Sequence, residues 1–181
     1  IRDFSDDDVE YLFKNIELLR PLSNNESIKT LLKKPYYAEL AYQIAETGTQ
    51  FSSGDGEREF QIAVWRDVIS KERIRANGMP LRRKQTFIDI ALKRAKQMVY
   101  GVPEAAFDPD ALLRLEEDNL IYRDISNGLV SPAHDVLEDW ALERYIEDVF
   151  QTNTDDIRGF LDAVGHEPAM NRAFRLWLHQ K

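Results

Sequence analysis

Residues 119–146 read NLIYRDISNGLVSPAHDVLEDWALERYI, and the order of features inside this run decides the fold. Two short apolar stretches, 120–123 and 129–130, flank Ser126, Asn127 and Gly128. Asn127 and Gly128 can both take positive φ, so the run predicts a β-hairpin, the strongest such signal in the chain. A helix is expected next. Ser131 fits an N-cap and Pro132 the first helical position, where a missing N–H costs nothing. His134 then falls in the first turn, with Asp135 and Glu138 near the positive end of the helix. The helix is expected to run to Phe150, with Leu137, Ala141, Tyr145 and Val149 on one line and Trp140 beside it.

Upstream of the hairpin the apolar spacing is helical nearly throughout. Ser5 can cap a helix that opens on three aspartates and carries Val9, Leu12, Phe13, Ile16 and Leu19, with Pro21 expected to end it. A short helix is read over 25–32, and Pro35 starts a third, with Tyr37, Leu40, Ala41 and Ile44, closed by Gly48. TGTQFSSGDG, residues 47–56, reads as an exposed or mobile loop. A helix over 57–74 is broken by RANGMP, and Pro80 opens a long one whose buried stripe is expected at Leu81, Ile88, Ala91, Leu92, Ala95 and Val99. Asp108 caps a short helix before the hairpin. Two helices, over about 154–164 and 168–180, follow Phe150. Trp65, Trp140 and Trp177 fall on apolar helical lines and are expected in the core.

Long helix, short helix, hairpin is the order of a winged-helix domain. The expected fold class is therefore mainly α: a helical bundle followed by a winged-helix-like domain with one short β-hairpin and C-terminal helices. The expected divisions are 1–78, 79–150 and 151–181, the last pair of helices being able to begin a helical array.

Composition narrows the function classes. The chain has 181 residues, 43% of them hydrophobic, and a net charge of −8, an ordinary globular balance that does not favour indiscriminate binding to nucleic acid or to an anionic membrane. No stretch has the length and apolarity of a membrane span or the layout of a secretion signal. The absence of cysteine fits a reducing cytoplasm, the expected location. His134, His166 and His179 lack ligand spacing, so no metal site is expected. The chain starts without Met and ends inside a helical pattern, which reads as a piece of a longer protein.

No catalytic signature stands out. None of the eight glycines is followed by Lys, so the chain has no P-loop, and it has neither Gly-x-Gly-x-x-Gly nor Gly-x-Ser-x-Gly. The acidic pairs in SDDDVE, RLEEDN and NTDDIR sit at helix ends, where carboxylates are favoured by the dipole or simply solvated. Ser131, His134 and Asp135 do not read as a triad, because near neighbours on a helix do not face one another. No catalytic residue is assigned, and the chain is not read as an enzyme. His134 keeps another reading: a helix N-terminus can receive a phosphate, and an imidazole there adds one directed hydrogen bond.

The run LEEDNLIYRDISNGLVSPAHDVLEDWALERYI resembles the end of the winged-helix subdomain in the signal-transduction ATPases with numerous domains, the STAND class that includes NB-ARC and NACHT proteins. That family places Met-His-Asp between a hairpin and a helix; Ala133, His134 and Asp135 stand there in this chain. IKTLLKKPYYAELAYQIAE resembles the family's helical lid, where a Gly-x-Pro motif lies against the nucleotide base; Pro35 matches the proline and Lys33 takes the glycine position. The resemblance spans about residues 5–150. It implies that His134 and Pro35 bind nucleotide, with His134 meeting the β-phosphate of ADP. It also implies that ADP or ATP belongs to the parent protein, with none expected on this piece alone. The implied partner is a P-loop ATPase domain of the same polypeptide, over which this portion closes, with homo-oligomerisation on activation.

Two other readings stand beside it. Residues 71–97 carry nine Lys or Arg against Glu72 and Asp89. A winged helix could use RIRANGMPLRRK with Lys93, Arg94 and Lys96 on DNA phosphates. Docking of this basic face onto an acidic domain or subunit is the preferred account of the charge, and nucleic acid is the disfavoured one. The third reading is a helical protein-interaction module with no nucleotide role.

Overall fold

Ser5 and Asp8 cap the first helix reciprocally: the Asp8 N–H donates to the Ser5 hydroxyl at 3.2 Å, and the Ser5 N–H donates to the Asp8 carboxylate at 2.8 Å. The computed structural model describes residues 2–74 and 76–181. The chain is mainly helical with a small three-stranded antiparallel sheet, and it divides into two units, Ile1–Arg75 and Ala76–Lys181.

The first unit is all helical. α1 spans Asp6–Asn15, a 3-10 stretch Glu17–Asn24, α2 Glu26–Leu31, α3 Pro35–Glu46 and α4 Glu57–Ala63, the last running into a π-helical turn over Val64–Ile69. Pro21 does not end α1 as expected. The helix stops at Asn15, whose side-chain amide donates to the Tyr11 carbonyl at 2.7 Å and so competes for a helical acceptor, and Pro21 lies inside the 3-10 stretch. That tighter coil still buries Leu19 and Leu22 beside Val9 and Phe13. Ile28, Leu40, Ala41, Ile44 and Phe60 complete the core, where the Tyr37 and Phe60 rings stack at 5.7 Å.

The 47–56 loop is exposed at Gly48, Gln50, Ser52, Ser53 and Gly54, as expected, and Asn25 anchors two of its carbonyls. Asn25 is buried; its carboxamide oxygen accepts from the Ile28 N–H at 3.0 Å, and its Nδ2 donates to the carbonyls of Ser52 at 2.7 Å and Asp55 at 2.9 Å. A single side chain thus caps α2 and satisfies loop carbonyls. The helix read over 57–74 ends earlier, where Lys71 takes a φ of +51°. Trp65, expected in the core, is half-buried.

The second unit starts with a 3-10 turn at Ala76–Gly78. α5 follows over Met79–Gln97, β1 over Val102–Pro103, a 3-10 turn over Glu104–Ala106 and α6 over Pro109–Glu117. β2 spans Ile121–Asp124, β3 Leu129–Pro132, α7 Asp135–Thr152, α8 Ile157–Val164 and α9 Pro168–His179. The hairpin is present, and it is two-thirds of a sheet of order β1-β3-β2: Val102 pairs with Val130 in the added strand. Two residues carry too little periodicity to announce a strand.

Ser131 and Pro132 are strand residues, not the helix start they were expected to be. Ser131 pairs with Tyr122, Pro132 with Ile121, and the Ala133 N–H donates to the Leu120 carbonyl at 2.9 Å, so the ladder holds the chain extended for three residues more. The helix consequently begins at Asp135. The hairpin turn also differs. Gly128 takes a φ of +62° while Asn127 does not, and the Asp124 carboxylate accepts from the backbone and side chains of Ser126 and Asn127. An Asx-type cage thereby replaces a two-residue turn.

α5 packs against α6, α7 and β3, and its buried arc includes Arg83, Thr86, Phe87, Ile90 and Ala91. Of the expected stripe, Ile88, Ala91 and Ala95 are buried and Leu92 is half-buried, but Leu81 is 70% and Val99 40% exposed. Contact with several elements rotates and widens the arc, and the left-handed Met98 that ends the helix takes Val99 off it. α9 lies along α7, and Trp177 meets Phe150 at 5.1 Å and Phe160 at 5.8 Å between ring centroids. Trp140 and Trp177 are buried as expected. No helix among the described residues is long and apolar enough to cross a membrane.

Candidate functional site

His134 is the N-cap of α7, one residue earlier than a first-turn position. Its backbone is extended, with φ −147° and ψ 143°, as the end of β3 delivers it. Its carbonyl accepts from the N–H groups of Leu137 at 3.0 Å and Glu138 at 3.3 Å, and its Nδ1 accepts from the Val136 N–H at 3.4 Å. The last contact lies beyond the usual hydrogen-bond range, so the imidazole holds its helix weakly. The ring is exposed, at the mouth of an 18-residue helix whose first-turn amides point toward it.

The carboxylates behind His134 are engaged. Glu138 is buried, with Oε2 2.5 Å from Arg94 Nη1 and 3.8 Å from Arg172 Nη2. Asp139 meets Arg172 Nε at 2.7 Å. Burial holds both carboxyls above their ordinary range, against the pull of Arg94 and Arg172 on Glu138 and of Arg172 on Asp139. This network ties α5, α7 and α9 around the first two turns of α7.

Pro35 occupies the first position of α3, half-buried, after Lys34, whose ammonium lies 5.2 Å from the centre of the Tyr37 ring. Lys33 is held by Asp6 at 2.8 Å, and its carbonyl accepts from the Phe4 N–H at 2.6 Å. Pro35 belongs to the first unit and His134 to the second.

Much of the basic stretch is neutralised at home. Arg82 forks onto Asp108 at 2.5 and 2.7 Å and reaches Asp110 at 2.9 Å. Arg83 meets Asp118 at 2.7 Å, Lys84 meets Asp148 at 3.5 Å, and Arg94 meets Glu138. Lys93 stands 5.0 Å from the centre of the Phe107 ring and Lys96 5.6 Å from that of Tyr145. Arg82, Arg83, Lys84 and Arg94 thus meet acidic side chains of their own unit. On the hairpin, Arg123 is clamped between Glu104 at 2.8 Å and Glu116 at 2.7 Å. Arg75 lies outside the described residues.

Sequence reasoning missed Arg83, whose burial follows from its place three and four residues before Thr86 and Phe87 on the buried arc. It also missed Asn25, both as the cap of α2 and in its reach across 27 and 30 residues to the loop. Among the described residues no cluster of three or more His, Cys, Asp or Glu could hold a metal ion. No protein-family model matches the chain, and no curated protein matches it.

Proposed function

We propose that this chain is the lid and winged-helix portion of a STAND-class ATP-dependent switch, closing over nucleotide held by a P-loop domain of the same polypeptide. The observation that carries the reading is His134: an exposed imidazole capping α7 directly after a hairpin. Serine, aspartate or asparagine would cap that helix better, so the imidazole is explained by what it meets outside the helix. An oxyanion there meets the positive end of the helix dipole beside a side-chain cap as long as 3.4 Å.

The second unit supports the same reading. α5, β1, a 3-10 turn, α6, β2 and β3 follow one another as helix, strand, helices and hairpin do in a winged helix, with the first strand paired to the last. The first unit, in which Pro35 opens α3, is the lid. Nucleotide exchange acts by population shift: ADP stabilises the closed state through its β-phosphate contact with His134, and loss of that contact frees this portion for self-association in a cytoplasmic signalling protein. The DNA reading is not favoured, because Arg82, Arg83, Lys84, Arg94 and Arg123 already spend their charge on carboxylates of the same unit.

The test is ADP dissociation from the full-length polypeptide, with and without His134→Ala. A rate raised about tenfold or more supports the switch. An unchanged rate, or a reading frame without a P-loop, overturns it.

A further inference from the structure

The chain holds two Asn–Gly steps, Asn77–Gly78 and Asn127–Gly128, and both asparagines are exposed. Such a step can modify itself. The glycine nitrogen attacks Cγ of the asparagine and forms an N–Cγ bond; the Cγ–Nδ2 bond breaks, and ammonia leaves with the proton of the glycine N–H. Water then opens the succinimide at either carbonyl, which gives aspartate or isoaspartate and a new negative charge. Glycine suits the attack because no Cβ crowds its nitrogen. Water is the one co-reactant.

The two steps are held differently. On the hairpin, Nδ2 of Asn127 donates to Oδ2 of Asp124 at 2.6 Å, and the Asn127 N–H faces Oδ1 of Asp124 at 3.3 Å and the Asp124 carbonyl at 3.2 Å. The leaving amide and the backbone that must swing beneath it are thus tied to one residue. Asn77 lacks such a tie: its side chain has no partner among the described residues. It lies in the 3-10 turn Ala76–Gly78, all three residues of which are exposed, with φ 55° and ψ 28°. At that ψ the Gly78 nitrogen is turned away from Cγ, so ring closure follows a rotation about ψ. No neighbour blocks the rotation, because nothing lies within 4 Å of where a Cβ on Gly78 would stand. An exposed turn without side-chain anchors opens at low cost.

The product has a place to go. α5, 19 residues long, starts directly after Gly78 with neither a side-chain N-cap nor an acidic residue in its first turn, whereas α1 and α7 each carry both. A carboxylate at position 77 meets the positive end of the α5 dipole. We infer that Asn77–Gly78 is a self-modifying site, whose conversion to aspartate or isoaspartate gives α5 the N-terminal carboxylate it lacks, while Asp124 withholds Asn127 from the same reaction. The site stands or falls independently of the nucleotide switch.

The experiment is peptide mapping by mass spectrometry of the 181-residue chain, held in mildly alkaline water enriched in oxygen-18 and sampled over weeks. Asn77 is expected to convert at least about tenfold faster than Asn127, the margin of one hydrogen bond to a charged group. Asp124→Ala should raise the Asn127 rate by about the same factor of ten. Unfolding in urea should bring the two rates together, since the Asp124 cage does not survive it. Asn77→Asp, which supplies the product directly, should raise the urea midpoint above that of the parent. An Asn77 that stays intact, converts no faster than Asn127, or outpaces it equally in urea overturns the inference. So does an Asn127 rate unmoved by Asp124→Ala, or a midpoint lowered by Asn77→Asp.

Discussion

Arg94 on α5 places Nη1 2.5 Å from Oε2 of Glu138, one turn into α7, and the carboxylate of that pair is buried. The pair joins the long helix before the sheet to the long helix after it. Removing the carboxylate leaves a guanidinium, itself 20% exposed, without its main partner, and Glu138→Ala should cost about 3 kcal/mol in urea unfolding. Arg172 approaches the same carboxylate only at 3.8 Å from a side chain 51% exposed but also meets Asp139, 17% exposed, at 2.7 Å, so Arg172→Ala should cost less than Glu138→Ala, about 1–2 kcal/mol. Equal losses in the two variants would mean that burial does not separate the two contacts.

Arg83 gives a sharper case. It is 2% exposed in the middle of the α5 arc, and burial lowers its pKa although Asp118 at 2.7 Å counters it. Truncation to alanine strands a desolvated carboxylate and opens a cavity, so Arg83→Ala should lose about 3–5 kcal/mol. An Arg83→Met, Asp118→Leu double variant refills the volume without charge and should recover most of that loss. A double variant as unstable as Arg83→Ala would assign the loss to packing alone.

The parts of this fold legible in the sequence are those fixed by local chemistry. Ser5 and Asp108 cap the helices they were expected to cap, Pro35 opens its own, and Gly128 turns the hairpin. What was misread depends on partners distant along the chain. Ser131 and Pro132 suit a helix start by type, but Tyr122 and Ile121 recruit them into the sheet first. Leu81 and Arg83 exchange their expected roles because Asp118, 35 residues away, makes an arginine tolerable inside. The candidate histidine was found from its neighbours in sequence; its office as the cap itself, and the Arg94–Glu138–Arg172 network behind it, needed three helices placed together.

Glu147 sets an acid dependence. Burial acts to raise its pKa, but hydrogen bonds from Lys181 at 2.7 Å, Trp177 Nε1 at 2.6 Å and Gln151 Nε2 at 2.9 Å outweigh it and bring the carboxyl down to about 2. A carboxylate depressed in the native state stabilises it above the unfolded value of 4.5 and loses that contribution as pH falls toward about 2. With solvent screening at a site 23% exposed, the contribution is roughly 1–2 kcal/mol. The stability difference between the parent and Glu147→Gln should therefore be full at neutral pH and shrink below about pH 4.5. A difference constant down to pH 2 would show that the hydrogen bonds do not depend on the charge.

The last expectation separates a histidine kept as a cap from one kept for a ligand. Its Nδ1 receives the Val136 N–H at 3.4 Å, longer than the side-chain caps of Asn25 at 3.0 Å and of Asp108 at 3.0 and 3.1 Å in the same chain. A shorter side chain reaches the N–H groups of the first turn more directly, so His134→Asn should stabilise the second unit by about 0.5–1 kcal/mol. In the full-length polypeptide the same substitution should speed ADP release, because a carboxamide does not reproduce the imidazole's reach to the phosphate. Stability gained while nucleotide retention is lost is the pattern of a residue held in place by function. His134→Asn that lowers the urea midpoint instead would make the imidazole the better cap and remove the physical reason for assigning it a ligand.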